Sequence, residues 1–293
     1  MTKPLQVLLT GATGFTGSYV LKELLNQPNL KVTLFVRDLQ KADKLGYTKL
    51  PIKLHKGCLE DTASIKQALY QKDILINIAS LGFGHAPVLI DACPDTLKKA
   101  IFISTTGIFT KLNPDSKQIR LDAEKAIQNS ALNFTIIRPT MIFGSAGDRN
   151  MSRLIQLQKK LPFFPVFGSG NFLQQPIYVE DLSRFIVQAS LSEKSNRKTY
   201  NLAGLKAISF NDIIDTISKQ LKKNVFKLHI PYSLSLLLAY IYECLFKAPK
   251  IKVEQIKRLN EHKNFSIEAA KNDFNFTPLD FESAIKKEIE SLT

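Results

Sequence analysis

Three glycines near the N-terminus lie between a short apolar run and a helical pattern, and this arrangement constrains the fold more than any other feature. Residues 5–10 are mostly apolar, as in a strand buried on both faces, and residues 18–26 carry apolar side chains at helical spacing. Gly11 would permit a tight turn, Gly14 would let the backbone approach a pyrophosphate, and Gly17 would let the helix pack closely on the strand. Free N–H groups at the start of the helix suit an anion. The pattern predicts a dinucleotide-binding turn, with a glycine-rich turn that binds no ligand as the alternative.

Short apolar runs and helical patterns alternate over the first half of the chain. The later apolar runs occupy residues 31–36, 52–55, 73–79, 100–104 and 133–138. Helical patterns between them cover residues 64–70 and 118–129. Strands that alternate with helices form parallel sheets covered on both faces. The sequence therefore predicts an α/β protein with a doubly wound parallel sheet.

Helical patterns predominate after residue 144. They cover residues 151–160, 181–189, 210–221, 234–246 and 253–259, and one more begins near Phe281. We predict a dinucleotide-binding domain over residues 1–144, to which a segment of about residues 171–204 returns. Most of residues 145–293 would form a small, mainly helical substrate portion.

The overall charge is strongly positive, with 40 Lys and Arg against 26 Asp and Glu and a formal net charge of +14. The basic residues are spread along the chain without an aromatic-interleaved motif, so we expect no nucleic-acid partner. The three cysteines and four histidines have neither metal-ligand nor disulfide spacing, so no metal site and no disulfide framework are predicted. The N-terminal residues lack the pattern of a signal peptide, and we expect a cytoplasmic protein with a small-molecule substrate.

Arg37 and Asp38 follow the second predicted strand, where a dinucleotide-binding fold contacts the adenosine ribose. A guanidinium group forms bidentate, charge-assisted hydrogen bonds with phosphate. Arg37 therefore favours NADP(H), which carries a 2′-phosphate, over NAD(H). In the alternative, Arg37 is a solvated loop residue and Asp38 binds the ribose hydroxyl groups.

Six short motifs together carry a family resemblance. They occupy residues 10–17, 57–61, 77–80, 103–106, 138–144 and 175–182. They resemble the short-chain dehydrogenases/reductases, in the extended or atypical branch that includes epimerase/dehydratase-like and NmrA-like proteins. The resemblance covers nearly the whole chain and implies a Rossmann-type fold. With Arg37, the cofactor contacts it implies are Gly11, Thr13, Gly14, Phe15, Thr16, Gly17, Leu59, Ala79, Ser80, Pro139 and Met141.

The catalytic pair of that family is missing from its expected place. Redox chemistry in the family depends on Tyr-x-x-x-Lys on the fifth helix, where the lysine lowers the pKa of the tyrosine. Alignment on Ala123 and Glu124 puts Ser116 and Arg120 at the two positions, and residues 71–177 contain no tyrosine. A serine hydroxyl is a much weaker acid than a phenol. The resemblance leaves as catalytic candidates Thr105 and Thr106, which would orient a carbonyl, and His85, which would donate a proton.

The substrate residues also depart from the family pattern. Nucleotide-sugar epimerases of this branch grip the substrate diphosphate with an arginine at the position of Gln174. Arg149 and Arg153 follow the sixth strand and are the candidates for an anionic substrate, the alternative being that both are solvated. We therefore expect an NAD(P)-dependent oxidoreductase or epimerase acting on a carbonyl, hydroxyl or sugar-nucleotide substrate. The alternative function is a non-catalytic NADP(H)-binding redox sensor or assembly subunit.

Residues 234–242 form the most apolar stretch of the chain, with Lys and Arg residues after it. The stretch is too short to span a bilayer, which requires about 20 apolar residues. We predict a helix that caps the substrate cleft and is buried in the core. Contact with a membrane surface and a homodimer face are the alternatives.

Overall fold

The computed structural model describes residues 3–112, 114–246 and 252–292. The strands are β1 (Leu5–Thr10), β2 (Leu30–Val36), β3 (Lys53–Lys56), β4 (Ile74–Asn77), β5 (Lys99–Ile103), β6 (Phe134–Pro139), β7 (Ile142–Phe143), β8 (Phe163–Phe167), β9 (Leu173–Gln174), β10 (Ile177–Tyr178), β11 (Lys198–Leu202), β12 (Ile208–Ser209) and β13 (Phe226–Ile230). The α-helices are α1 (Phe15–Leu25), α2 (Leu39–Lys44), α3 (Thr62–Leu69), α4 (Ala86–Ala92), α5 (Asp115–Asn129), α6 (Met151–Lys160), α7 (Val179–Ser190), α8 (Phe210–Gln220), α9 (Tyr232–Leu245), α10 (Val253–Leu259), α11 (Glu268–Phe274) and α12 (Phe281–Ser291).

The predicted Rossmann-type, doubly wound α/β fold is confirmed. Within the described residues, seven parallel strands form one sheet in the order β11-β6-β5-β4-β1-β2-β3. Strands β2 and β3 are added on one side of β1. The chain then crosses over, and β4, β5, β6 and β11 are added on the other side. The strand order reverses between β1 and β4, and ligands of such sheets bind outside the carboxyl ends of the strands at this point.

Apolar side chains cover the sheet on both faces. Val7 and Leu9 belong to one cluster, with helices α1 and α7, whereas Leu8 belongs to the other, with α3, α4 and α5. Successive residues of a strand point to opposite faces, so a strand buried on both faces must be continuously apolar. This is why the pattern of residues 5–10 predicted β1 correctly.

The seventh strand of the sheet was missed by the periodicity analysis. Strand β11 is the edge strand beside β6, and its sequence is Lys-Thr-Tyr-Asn-Leu. An edge strand is only partly covered and need not be apolar, so it gives a weak signal. Tyr200 on this strand is nevertheless buried, and its hydroxyl group donates a hydrogen bond to the Asp273 carboxylate at 2.6 Å.

A third apolar cluster forms the C-terminal portion, where α6, α8 and α12 pack together. Ile155, Ile214 and Ile285 are fully buried in it. The chain then returns to the sheet, because Phe274 and Phe276 pack edge-on against Phe185 of α7, with ring centroids 5.1 and 5.3 Å apart. The segment around α11 therefore packs back onto a helix that covers the sheet.

Helix α9 is where the structure contradicts a prediction about packing. We expected this helix to be buried over the substrate cleft, yet its only buried residues are Ser235 and Ala239. Four of its leucines, Leu234, Leu237, Leu238 and Leu245, are exposed, and the helix packs against α10. Among the described residues, no helix is both long and apolar enough to cross a membrane.

Candidate functional site

The glycine turn is built so tightly that only glycine fits at two of its positions. Gly11 has a φ of +72°, and a Cβ atom there would lie 2.8 Å from the backbone nitrogen of Ala79. A Cβ atom at Gly17 would overlap the carbonyl oxygen of Gly11. The Gly14 N–H closes the turn by donating to the Gly11 carbonyl at 3.0 Å. The first N–H groups of α1 have no partners within the helix, so the turn fits the pyrophosphate of a dinucleotide.

Side-chain hydrogen bonds hold this turn against the neighbouring strands. The Thr10 hydroxyl at the end of β1 donates to the Asn77 amide oxygen at the end of β4 at 2.6 Å. The Asn77 amide group then donates to the Ala79 carbonyl at 3.0 Å. On the other side, the buried Tyr47 hydroxyl donates to the Ala12 carbonyl at 2.9 Å, and burial raises the pKa of Tyr47. The crevice between β1 and β4 is thus fixed before any ligand binds.

Arg37 and Asp38 have different environments at the end of β2. Asp38 is the N-cap of α2, and its carboxylate accepts a hydrogen bond from the Lys41 N–H at 3.0 Å. Arg37 is exposed to solvent. Both side chains thus lie at the end of β2, where a dinucleotide-binding fold contacts the adenosine ribose.

A cleft of about 320 Å³ lies at the carboxyl ends of β4, β5 and β6. Its wall includes Thr16 of the first turn of α1 and Ser80 after β4, together with Thr105 and Pro139. These residues come from four separate segments of the chain that the resemblance connects with the cofactor or with catalysis. The cleft is therefore continuous with the glycine turn.

Three basic side chains also line this cleft: Lys117 and Arg120 of α5, and Arg258 of α10. The Arg120 guanidinium donates to the Ser116 carbonyl at 2.9 Å. Burial and the nearby charge of Arg258 both lower the pKa of Arg120. Lys117 donates to the Thr110 carbonyl at 2.7 Å. Like charges gathered in a partly desolvated cleft are favourable when an anion binds between them.

The sequence profile of a family described as NAD(P)H-binding matches residues 11–189, which is more than half of the chain. The chain belongs to this NAD(P)H-binding family. The predicted resemblance to the atypical, epimerase/dehydratase-like branch of the short-chain dehydrogenases/reductases is thereby confirmed. The prediction of a nicotinamide dinucleotide as cofactor is confirmed at the level of NAD(P).

Curated relatives of this NAD(P)H-binding protein cover most of its length. The N-acetyl-α-D-glucosaminyl-diphospho-ditrans,octacis-undecaprenol 4-epimerase of Escherichia coli O157:H7 is 25% identical over 276 residues, which are 82% of this chain and 80% of that protein. The mitochondrial NADH dehydrogenase [ubiquinone] 1 alpha subcomplex subunit 9 of Dictyostelium discoideum is 24% identical over 298 residues, with 94% and 82% covered. The NAD complex of the UDP-glucuronic acid 4-epimerase from Bacillus cereus has the same fold, with a TM-score of 0.78, 17% identity and 98% of each chain covered.

The three catalytic candidates do not all face the cleft. Thr105 lines the cleft, and its Oγ1 accepts a hydrogen bond from the Gly107 N–H at 3.0 Å. Thr106 is buried behind it and donates to the Pro139 carbonyl at 3.3 Å. His85 is the N-cap residue of α4 and lies beside Phe83, outside the wall of the cleft. Of the three, only Thr105 is positioned to touch a substrate there.

The three substrate candidates also lie outside the wall of this cleft. Arg149 and Arg153 are exposed, at the loop before α6 and on α6 itself. Gln174 is buried, and its amide group donates to the Glu261 carbonyl at 3.3 Å. Gln174 thus anchors the segment after α10 instead of facing the cleft.

The remaining predicted cofactor residues have simpler surroundings. Leu59 and Met141 are half-buried, each at the margin of an apolar cluster. Ala79 is half-buried and abuts Gly11. Thr13 and Phe15 are half-buried in and beside the glycine turn.

Sequence reasoning missed the cations that do line the cleft. Lys117 stands one residue after the serine that replaces the family tyrosine, and Arg120 was noted only as the replacement for the family lysine. Arg258 lies about 140 residues further along the chain, on a helix of the C-terminal portion. The helical spacing of residues 117 and 120 was the available signal for two of them, since residues three apart share a helix face. Nothing in the local sequence connects Arg258 with this cleft.

Proposed function

We propose that this chain is an NAD(P)-dependent oxidoreductase or epimerase acting on a hydroxyl or carbonyl group of an anionic substrate, namely a sugar carried on a diphosphate. The observation that carries the proposal is the cleft that Thr16, next to the glycine turn, shares with Lys117, Arg120 and Arg258. Its support from relatives is that one of them is by name a 4-epimerase of a diphospho-linked sugar.

The three cations would bind the charged part of the substrate. Arg120 and Arg258 are guanidinium groups, which bind phosphate oxygens in a bidentate manner, and Lys117 adds a point charge. Binding energy from this remote group would orient the sugar beside the cofactor. The nicotinamide ring, when bound, supplies the hydride acceptor and donor.

Thr105 would orient the reacting oxygen of the sugar. Its Oγ1 accepts from the Gly107 N–H, which fixes the hydroxyl oxygen and leaves its proton free to donate. Ser116 also lines the cleft and would serve as a second hydrogen-bonding group. Because neither hydroxyl is as acidic as a phenol, we expect slower proton transfer than the Tyr-x-x-x-Lys pair gives.

We further propose that NADP(H) is preferred over NAD(H). The support is that Asp38 already caps α2, whereas Arg37 is exposed where the 2′-phosphate would lie.

The test combines a substrate screen with three matched variants. Purified protein is incubated with NADP⁺ or NAD⁺ and a panel of UDP- and dTDP-sugars, with absorbance at 340 nm and proton NMR as readouts of oxidation and epimerisation. Arg258→Gln and Lys117→Gln should each raise KM or the substrate Kd roughly tenfold. Lys257→Gln, on the same helix as Arg258 but outside the cleft, should leave both unchanged.

The screen also separates the proposal from the alternative function. Turnover or binding that the cleft variants weaken, and the Lys257 variant does not, would support the proposal. Tight NADPH binding without turnover or sugar binding on the whole panel would favour a non-catalytic NADP(H)-binding role.

A further inference from the structure

Helix α9 presents its large apolar side chains to solvent. Leu234, Leu237, Leu238, Ile241 and Leu245 have exposed fractions of 44%, 54%, 49%, 45% and 72%. Their spacing of three and four residues puts them on one side of the helix, in a stripe about 100° wide. Ser235 and Ala239 occupy the buried side. We call these five residues the α9 stripe.

The stripe has the composition of a surface that leaves water on binding. Residues 232–242 contain no charged side chain, and Tyr240 and Phe246 add exposed aromatic rings beside it. Two apolar residues of β13, the strand that leads into the helix, are also exposed: Phe226 and Leu228, at 69% and 47%. A contiguous apolar face of this kind on a folded chain marks a binding surface.

The charges around the stripe identify what it binds. Residues 219–263 contain ten Lys and Arg but three Glu, and Lys252 and Lys257 are exposed at α10, which packs against α9. All three carboxylates are already engaged: Glu243 accepts from the Val253 N–H at 2.9 Å, Glu254 lies 3.7 Å from Arg258, and Glu261 accepts from the Thr110 hydroxyl at 2.6 Å. Lys219 and Lys227 pair with Glu282 and Asp215, and the charge that remains in this segment is still positive.

A second copy of the chain fits such a surface poorly. In a two-fold symmetric dimer the same face meets itself, so the basic rim of one copy would lie against the basic rim of the other. An anionic lipid surface offers complementary charge to the rim and an acyl interior to the leucines. Helices with an apolar side, flanking lysines and aromatic residues lie in the plane of such an interface.

We propose that α9 binds the surface of an anionic membrane, with the α9 stripe in the acyl boundary and Lys252 and Lys257 against the lipid headgroups. The helix has 14 residues and lies along the surface without crossing it. Arg258, which lines the cleft, belongs to the same short helix as Lys257. Membrane binding would thus bring α10, and with it one wall of the cleft, close to the lipid surface. This holds whatever the substrate is.

The test is sedimentation with vesicles of equal parts phosphatidylglycerol and phosphatidylcholine, at 50 mM NaCl. The wild-type chain should sediment with these vesicles and stay in solution with pure phosphatidylcholine. Leu237→Ser combined with Ile241→Ser should lower the partition coefficient about tenfold or more, because two apolar side chains lose their burial. Lys252→Gln combined with Lys257→Gln should lower it by a similar factor.

The matched control removes two apolar side chains of similar exposure elsewhere. Tyr70→Ser combined with Leu191→Ser, at 71% and 41% exposed, should bind vesicles as the wild type does. All variants should retain NADPH binding, which shows that they fold. A dye on Cys244, which is exposed on α9, should shift its emission to shorter wavelength with anionic vesicles once Cys58 and Cys93 are replaced by Ser.

Three results would overturn the proposal. The first is no sedimentation with anionic vesicles. The second is equal sedimentation of the Leu237/Ile241 variant, which would show adsorption through net charge alone. The third is a dimer in light scattering that this variant dissociates, without vesicle binding, which would assign the α9 stripe to a second copy. None of these results depends on whether a sugar substrate is turned over.

Discussion

Helices α1 and α9 are both rich in leucine, yet they use it in opposite ways. In α1, Val20, Leu21 and Leu24 are buried against the sheet, at 0%, 2% and 0% exposure. In α9, the five residues of the stripe face solvent and small residues face the protein. The comparison teaches that helical periodicity identifies an apolar side but does not identify what covers it. In α1 the apolar side is covered by the chain itself, whereas in α9 the stripe lies open to solvent.

The largest expected effect tests this contrast directly. Leu21→Ala should lower the free energy of unfolding by about 3 kcal/mol, because it opens a cavity in a packed core. Leu237→Ala should change it by less than about 0.5 kcal/mol, because the side chain is already in water. Urea unfolding, with linear extrapolation to water, measures both. Equal losses would show that α9 is packed in solution and would remove the contrast.

The contrast also explains which parts of the fold could be predicted from sequence. The sheet strands β1, β2, β4, β5 and β6 are continuous apolar runs, because helices cover both faces, and their positions were predicted within a residue or two. Strand β11 was missed because it is a polar edge strand. The prediction that α9 is buried was wrong because an apolar stripe has the same sequence pattern whether it faces a core or lies at the surface.

The candidate site divides in the same way. The glycine turn could be predicted because a backbone clash at Gly11 or Gly17 leaves a local mark in the sequence. The cleft could not, because it joins α5 to α10 through tertiary packing alone. Arg149 and Arg153 were chosen for their place after the sixth strand, but both are exposed outside the cleft, and Arg258 from a distant helix lines the cleft instead.

A second prediction concerns Arg37 and the affinity of the cofactor half for NADPH and NADH. Arg37→Ala should weaken NADPH binding by roughly 10- to 100-fold, the value of charge-assisted hydrogen bonds to one phosphate, and leave NADH binding nearly unchanged. Fluorescence titration of the reduced cofactors measures both, and the chain has no Trp to interfere. The Leu237→Ser/Ile241→Ser variant is the control, with both affinities unchanged. Equal losses for the two cofactors would contradict the assignment of Arg37 to a 2′-phosphate.

Buried carboxylates give a further contrast between the halves. In the cofactor half, Glu124 of α5 is buried but meets the Arg138 guanidinium, with Nε 3.0 Å from Oε2, so the charge is compensated. In the C-terminal portion, Glu288 of α12 is fully buried beside Asp148, the residue that caps the first turn of α6. Burial, together with the nearby Asp148 carboxylate, raises the pKa of Glu288 to about 10. Burial therefore favours the protonated form of Glu288, whereas the Glu124 carboxylate is paired with a guanidinium.

A pH-dependent effect on the melting temperature follows from this difference. In the unfolded chain Glu288 titrates near the ordinary glutamate pKa of about 4.3, so its contribution to stability is complete below that pH and is lost progressively as the pH rises toward its folded pKa. Glu288→Gln keeps the uncharged form at every pH. The variant should raise Tm by a few degrees at pH 8.5 and by less at pH 5.5, as scanning calorimetry at the two pH values would measure. Glu60→Gln, which removes one exposed carboxylate, should shift Tm little at either pH.

A Glu288→Gln gain that did not grow with pH would mean that Glu288 is ionised in the folded chain. Its proximity to Asp148 would then have to be compensated by a cation, as the Arg138 guanidinium compensates Glu124 in the other half.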